Sequence, residues 1–216
     1  KYVQSFWLFI YLFICFSSYN FFLNKIFMAF KQVKTLIILI SSVFFNQHIY
    51  SYDHLNTDKS IIIDISEQRL YLKQSGIIIE SFPISSSKFG EGEKQDSFKT
   101  PLGMHEIKTK IGENVPLNTI FISRINTKRT ANILHEPHDT DDDYVTSRIL
   151  WLDGLEKGIN RGDGIDSYSR YIYIHGTHEE GLIGQKASHG CIRMFNDDVV
   201  SLYKKVSKGT KVYIKA

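Results

Sequence analysis

Short runs of β-branched and aromatic residues, broken by Gly, Ser and Gln, mark the chain from residue 60 onward. Ser60-Ile61-Ile62-Ile63-Asp64-Ile65, Arg69-Leu70-Tyr71-Leu72 and Gly76-Ile77-Ile78-Ile79-Glu80-Ser81-Phe82 follow one another closely. That is the spacing of a meander of antiparallel strands and not of alternating strand and helix. Further strands are predicted over Gly103 to Thr109, Thr119 to Arg124, Ile149 to Leu152, Tyr171 to His175 and Lys211 to Lys215. One helix is predicted near the end, with Asn196 as its cap, Asp197 and Asp198 in its first turn and an apolar face of Val199, Val200, Leu202, Tyr203 and Val206. Lys204, Lys205 and Lys208 suit the negative end of its dipole, and Gly209 stops it. Ser85 to Thr100 and Asn126 to Ser147 read as long loops, which in a β domain are functional or mobile. The pattern predicts a mostly β fold, a sandwich or barrel with few helices.

The first fifty residues carry a different pattern. Residues 1 to 27 run through Phe6-Trp7-Leu8-Phe9-Ile10-Tyr11-Leu12-Phe13-Ile14-Cys15-Phe16 almost without charge, and are expected to be either upstream sequence or a membrane segment outside the fold. From Met28 come Lys31 and Lys34, an apolar run from Thr35 to Phe45, and a polar exit through Asn46, Gln47 and Ser51. This is the layout of a secretory signal peptide or N-terminal anchor over residues 28 to 51, with cleavage expected near Ser51. Export to the periplasm or cell envelope follows, and residues 52 to 216 are left as one domain. With 26 Lys+Arg against 23 Asp+Glu the charge bias is too mild for a nucleic-acid partner, and no basic run with interleaved aromatics is present. The acidic cluster Asp139, Asp141, Asp142 and Asp143 lacks the spaced ligands and turn Gly of a calcium loop and reads as a solvated loop tip.

Composition changes the picture at one place. The two cysteines stand in unlike settings, Cys15 in the apolar N-terminal stretch and Cys191 in a segment rich in His and Gly. Removal of the leader leaves Cys191 alone, either as an inert core residue, a zinc ligand with His175, His178 and His189, a redox thiol or a nucleophile. Ser188-His189-Gly190-Cys191 is too polar and Gly-rich for ordinary core packing, no paired Cys motif supports zinc, and no second Cys supports redox exchange. A strand over Tyr171 to Ile174 would deliver His175 at its end as a base. His175, His189 and Arg193 are neighbours able to hold Cys191 as thiolate, and the amides of Gly190 and Cys191 are candidates for an oxyanion hole.

His175-Gly176-Thr177, followed by Ser188-His189-Gly190-Cys191-Ile192-Arg193-Met194, resembles the signature of the YkuD-type L,D-transpeptidases, the ErfK/YbiS/YcfS/YnhG-like family. Lys99-Thr100-Pro101-Leu102-Gly103 resembles the Thr-Pro-x-Gly turn upstream in that family, and the resemblance extends over residues 60 to 215. It implies a β-sandwich with the cysteine in a pocket under a long lid-like loop. Cys191 would be the nucleophile, His175 the general base, and the Gly176 carbonyl the group that orients it. His189, Gly190 and Arg193 would line the substrate pocket, with Ser188 bonding within the turn. The implied reaction forms a thioester with a peptidoglycan tetrapeptide stem, releases D-Ala, and passes the acyl group to an amine of another stem or of an envelope lipoprotein. Water as acceptor would make the same residues an L,D-carboxypeptidase. The resemblance implies no cofactor, a monomer, and acylation of Cys191 by carbapenems. From another class comes a non-catalytic wall-binding module, which has no use for a Cys and His set for nucleophilic attack.

Overall fold

The structure, a computed structural model, describes residues 58–216 together with residues 28, 34, 36–38, 40 and 41 nearer the N-terminus. The chain divides into two units, Lys1–Asp53 and His54–Ala216, and the fold is that of the second. Apart from those few helical positions, the upstream segment and leader expected over residues 1 to 51 lie outside the described residues.

Alternation governs the first strand, β1 (Lys59–Asp64): Ile61 and Ile63 are buried while Ile62 between them faces the other way and is only partly covered. Asp64 shapes the turn that follows, accepting hydrogen bonds from Ser66 Oγ at 2.6 Å and the Glu67 N–H at 3.2 Å while pairing with Lys215. β2 (Arg69–Gln74) and β3 (Ile77–Pro83) complete the expected antiparallel meander. Ser75 and Gly76, both at positive φ, form the two-residue turn between them.

Beyond this meander the described residues add β4 (Gly103–Ile111), β5 (Thr119–Ile122), β6 (Ile125–Thr130), β7 (Val145–Gly154), β8 (Tyr173–Gly176), β9 (Ile192–Met194) and β10 (Lys211–Lys215). The ten strands make one sheet in the order β3-β2-β1-β10-β4-β7-β5-β6, with β8 joined to β7 and β9 to β8. The pairings β1–β10 and β8–β9 are parallel, so the sheet is mixed and not a pure antiparallel meander. A run of apolar residues reports its own extension; which distant strand lies beside it is decided by packing.

Three boundaries differ from the sequence expectation. β6 lies inside the segment read as a loop from Asn126 to Ser147, because its residues Ile-Asn-Thr-Lys-Arg-Thr are nearly all exposed and give no alternation to read. The unstructured part is therefore 131–144. The strand expected through Arg124 stops at Ile122, and Ser123 and Arg124 turn the chain back into β6. The helix α1 (Asn196–Lys205) has Phe195 at its N-cap, with Asn196 already inside its first turn, and it leaves helical geometry at Val206, before Gly209. Asn196 is buried instead as a junction: it accepts from Thr146 Oγ1 at 2.7 Å and Ser147 Oγ at 2.6 Å, and donates to the Thr177 carbonyl at 2.7 Å.

The main core gathers Ile61, Ile63, Leu70, Leu72, Leu150, Leu152, Ile174, Ile192, Met194, Val199 and Leu202 from both ends of the sheet and from α1. Each such side chain contributes roughly 1.5–3 kcal/mol on burial. Its functional effect is to clamp β7, β8 and β9 from one face, so that the opposite face is a rigid platform.

Candidate active site

Register decides which side chains share that platform. Trp151 pairs with Tyr173 and Ile149 with His175 across β7 and β8; Ile174 pairs with Ile192 and His175 with Arg193 across β8 and β9. Alternation then sets Trp151, Tyr173 and Cys191 in one row and Ile149, His175 and Arg193 in the next, opposite the face that Ile174, Ile192 and Met194 bury in the main core. Cys191 and His175 are thus diagonal neighbours on adjacent strands.

His175 is buried, and its Nδ1 donates to the Gly176 carbonyl at 2.7 Å, which leaves Nε2 as the ring's acceptor. Gly176 itself has no room for a side chain: a Cβ would fall 2.5 Å from Asn196 Oδ1 and 2.9 Å from the Thr146 carbonyl. The Cys191 thiol is half-buried, donates to the Tyr171 carbonyl at 3.3 Å and accepts the Tyr173 N–H at 3.3 Å. Burial pushes the thiol up to about 12, against the Tyr173 N–H that favours the thiolate. Burial also holds His175 below its ordinary value, against the raising influence of Asp143. Burial thus disfavours both charged forms, the thiolate and the imidazolium, and works against the neighbouring charge expected to hold Cys191 as thiolate.

The turn before β9 is braced by hydrogen bonds. Ser188 is fully buried; its Oγ donates to the Cys191 carbonyl at 2.6 Å and receives the Gly190 N–H at 3.3 Å. Gly190 sits at φ +119°, a conformation that strains any residue with a side chain, and its N–H points into the turn. Thr100, from the upstream Thr-Pro turn, donates from Oγ1 to the Gly190 carbonyl at 3.0 Å and accepts the Ser87 N–H at 3.1 Å. The two segments that carry the resemblance are thus in direct contact.

Arg193 lies 1% exposed. Nη1 donates to Glu179 Oε2 at 2.7 Å and Nη2 stands 2.7 Å from Asp143 Oδ1. Asp143 also receives His189 Nδ1 at 2.9 Å. Burial raises the Asp143 carboxyl, but Arg193, His175 and His189 outweigh it and hold the group below the ordinary aspartate value. Arg193 is accordingly bound up with protein acids at the place where the resemblance implied a pocket-lining residue. His189 remains at the surface, its ring against Phe89 and Phe98 at 5.7 and 6.0 Å.

The acidic segment is more than a solvated tip. Besides Asp143, Asp139 pairs with Lys88 at 2.9 Å, joining the two long loops. Thr140 donates its N–H and its Oγ1 to Glu179 Oε1, both at 2.6 Å, and Tyr144 packs on His178 with ring centroids 4.8 Å apart. His178 therefore faces this loop. Among the described residues no three His, Cys, Asp or Glu side chains converge to hold a metal ion.

Several site residues escaped the sequence reading. Trp151 stacks on Tyr168 at 4.0 Å and meets Tyr173 edge-on at 5.4 Å. Arg124 lies over the rings of Tyr171 and Trp151 at 4.7 and 5.1 Å, and donates weakly to Tyr173 Oη at 3.4 Å. Arg170 donates to the carbonyls of Gly92 and Lys99, and with Phe98, Tyr171, Ile172 and His189 it lines a cavity of about 140 Å³. The only sequence signal for these residues is aromatic density between 144 and 173, which reads equally well as core.

Comparison with known proteins gives this geometry a family. Over 161 residues the chain is 27% identical to the probable L,D-transpeptidase ErfK/SrfK of Escherichia coli, covering 72% of this chain and 44% of that protein. It is 51% identical over 45 residues to the putative L,D-transpeptidase YqjB of Bacillus subtilis, 21% of this chain and 26% of the relative. The matched regions thus span less than half the length of these curated relatives. A solved structure, L,D-transpeptidase 3 from Mycobacterium tuberculosis in complex with a faropenem-derived adduct, superposes with a TM-score of 0.47 at 16% identity, covering 74% of this chain and 60% of that one. The family model for the L,D-transpeptidase catalytic domain, YkuD, matches residues 58–214. On that match, which takes in all ten strands but the last residue of β10 and both segments around Cys191, the chain belongs to the YkuD family of L,D-transpeptidases.

Proposed function

We propose that this chain is a cysteine-dependent peptidoglycan L,D-transpeptidase, with Cys191 as nucleophile and His175 as general base. The observation that carries the reading is the shared face of Cys191 and His175 together with the Nδ1–H bond to the Gly176 carbonyl, which leaves Nε2 free of a proton to accept one.

In the proposed reaction Sγ attacks the carbonyl carbon that joins the third residue of a tetrapeptide stem to its terminal D-Ala. The thiol proton passes to His175 Nε2, the carbon–nitrogen bond breaks, and the imidazolium returns the proton to the departing amine. A thioester remains. An amine of a second stem, or of an envelope lipoprotein, then attacks the thioester carbonyl while His175 accepts its proton; the carbon–sulfur bond breaks and the imidazolium returns that proton to Sγ. Burial disfavours both thiolate and imidazolium, which supports transfer of the proton to Nε2 during attack over an ion pair formed beforehand. The substrate places the proposed site of action outside the cytoplasm, in the periplasm or cell envelope.

The test is mass spectrometry of the chain from about Tyr52 onward, incubated first with a carbapenem and then with purified disaccharide tetrapeptide. The expected result is a covalent adduct on Cys191 and loss of D-Ala from the stem, both abolished in Cys191→Ala and cut by about a hundredfold or more in His175→Asn. Cross-linked products identify an amine acceptor, and free tripeptide identifies water. A folded wild-type sample that behaves like Cys191→Ala would overturn the enzyme reading in favour of a binding module.

A further inference from the structure

Of the cations around the Cys191 platform, Arg193 is taken up by protein acids and Arg170 by the carbonyls of Gly92 and Lys99, whereas Arg124, at the tip of the β5–β6 hairpin, is held by neither. Ile122 pairs with Ile125, so Ser123 and Arg124 alone make the turn, at φ 49° and 69°. Two-residue turns of this kind favour Asn and Gly, because a Cβ at positive φ is strained. An Arg at such a position is a local conflict, but one that ten other non-glycine residues among those described share, so the turn alone assigns no function.

Its surroundings say what its function is. The guanidinium is held over Tyr171 and Trp151 and touches the hydroxyl of Tyr173. Tyr171 and Tyr173 are the two residues whose backbone groups contact the Cys191 thiol. Among the described residues Arg124 pairs with no carboxylate, whereas Arg193 does; Arg170 also lacks one but spends its guanidinium on the carbonyls of Gly92 and Lys99. It is half-buried, so water reaches only part of it. A planar cation oriented by aromatic faces, without a counter-ion and one residue removed from the nucleophile, is built to receive an anion that arrives with the substrate.

We infer that Arg124 is a specificity-determining residue that binds a free carboxylate of the stem peptide. The inference rests on the proposed L,D-transpeptidase reading. Two carboxylates on the stem could be the ligand: the terminal one of the D-Ala that leaves, or one on the side chain of the third residue where that residue is a diamino diacid.

The experiment measures kcat and KM for release of the fourth residue from three tetrapeptide stems: one with both carboxylates free, one with the terminal carboxylate as carboxamide (releasing D-alaninamide), and one with the side-chain carboxylate amidated. Arg124→Gln is expected to raise KM about tenfold or more on the free stem, with kcat little changed, and to lose nothing further on the stem whose recognised carboxylate is already masked. Which amide abolishes the difference identifies the carboxylate. Arg124→Lys should restore part of the affinity, whereas Arg124→Asn, which suits the turn, should keep the hairpin and still show the full KM rise. In parallel, binding of the free stem to Cys191→Ser, followed by the fluorescence of the adjacent Trp151, should weaken to the same extent when Arg124→Gln is added. Equal kinetics for wild type and Arg124→Gln on the free stem, or an equal loss on all three stems, overturns the inference while leaving the catalytic reading intact. Absence of fourth-residue release by wild type from any stem removes that reading and this inference with it.

Discussion

Arg193 and Arg124 flank the same platform and are held in opposite ways. Arg193 sits on β9 at 1% exposure, fixed by Glu179 on one side and Asp143 on the other. Arg124 sits on a strained turn, half-buried, with aromatic rings for neighbours and no acid among the described residues. One charge is spent inside the protein, joining β9 to the residues after β8 and to the 131–144 loop; the other is left over. A charge type read from a motif therefore says little about its use until its counter-ions are known.

The comparison is broken most severely by Arg193→Met. Removing that cation leaves the buried Glu179 without its guanidinium, with Thr140 still donating to Oε1, and the expected loss is about 3–5 kcal/mol of stability, measured by denaturant unfolding. A loss under 1 kcal/mol would mean that the pair is not a structural element. Acid gives the next largest effect, from a distant group. His105, fully buried between the Gly103 carbonyl and Ser167 Oγ, is held down to about 4 by burial. Its folded value lies below its unfolded one, so the stability it contributes is present above pH 6.5 and is lost as pH falls toward 4, by about 3 kcal/mol. His105→Gln should flatten that part of the stability curve.

Asp143→Asn is a finer cut, because it removes the carboxylate from Arg193 and His189 while leaving Glu179 in place. About 1–2 kcal/mol is expected, confined to the loop, so hydrogen exchange should rise over 131–144 with little change in β7 to β9. The Asp143 carboxyl is held low, so the same loosening should appear in wild type only as pH falls below the ordinary aspartate range, after the His105 effect has begun. Smallest of all, Arg124→Asn should change stability by no more than about 0.5 kcal/mol, since the half-buried side chain pairs with no acid among the described residues and the gain of a turn-compatible Asn offsets its lost ring contacts. A large stability loss there would make the two arginines alike.

Legibility in the sequence followed the same division. Strands with a buried alternating face, such as β1, β2 and β10, were readable because burial writes a two-residue period. β6 was not, because an exposed edge of Asn, Thr, Lys and Arg writes none, and the parallel pairings of β1 with β10 and β8 with β9 are long-range facts. Around Cys191 the local segment from His175 to Arg193 was visible as a cluster of His, Gly and Cys. What the cluster meets was invisible: Asp143 was one of four similar aspartates, Trp151 read as core, and Arg124 acquires meaning only once Ile122 is known to pair with Ile125. The helix was found but its cap misplaced, because Asn196 has the chemistry of a cap and is used instead to join β7 to the turn after β8.

The raised thiol of Cys191 has one more consequence. Peroxides, disulfides and alkylating agents attack the thiolate, and burial of the sulfur disfavours that form. Burial thus acts as a preservative: the one free cysteine among the described residues is shielded from indiscriminate reagents, and a base that takes its proton must do so from the same covered face, where His175 stands.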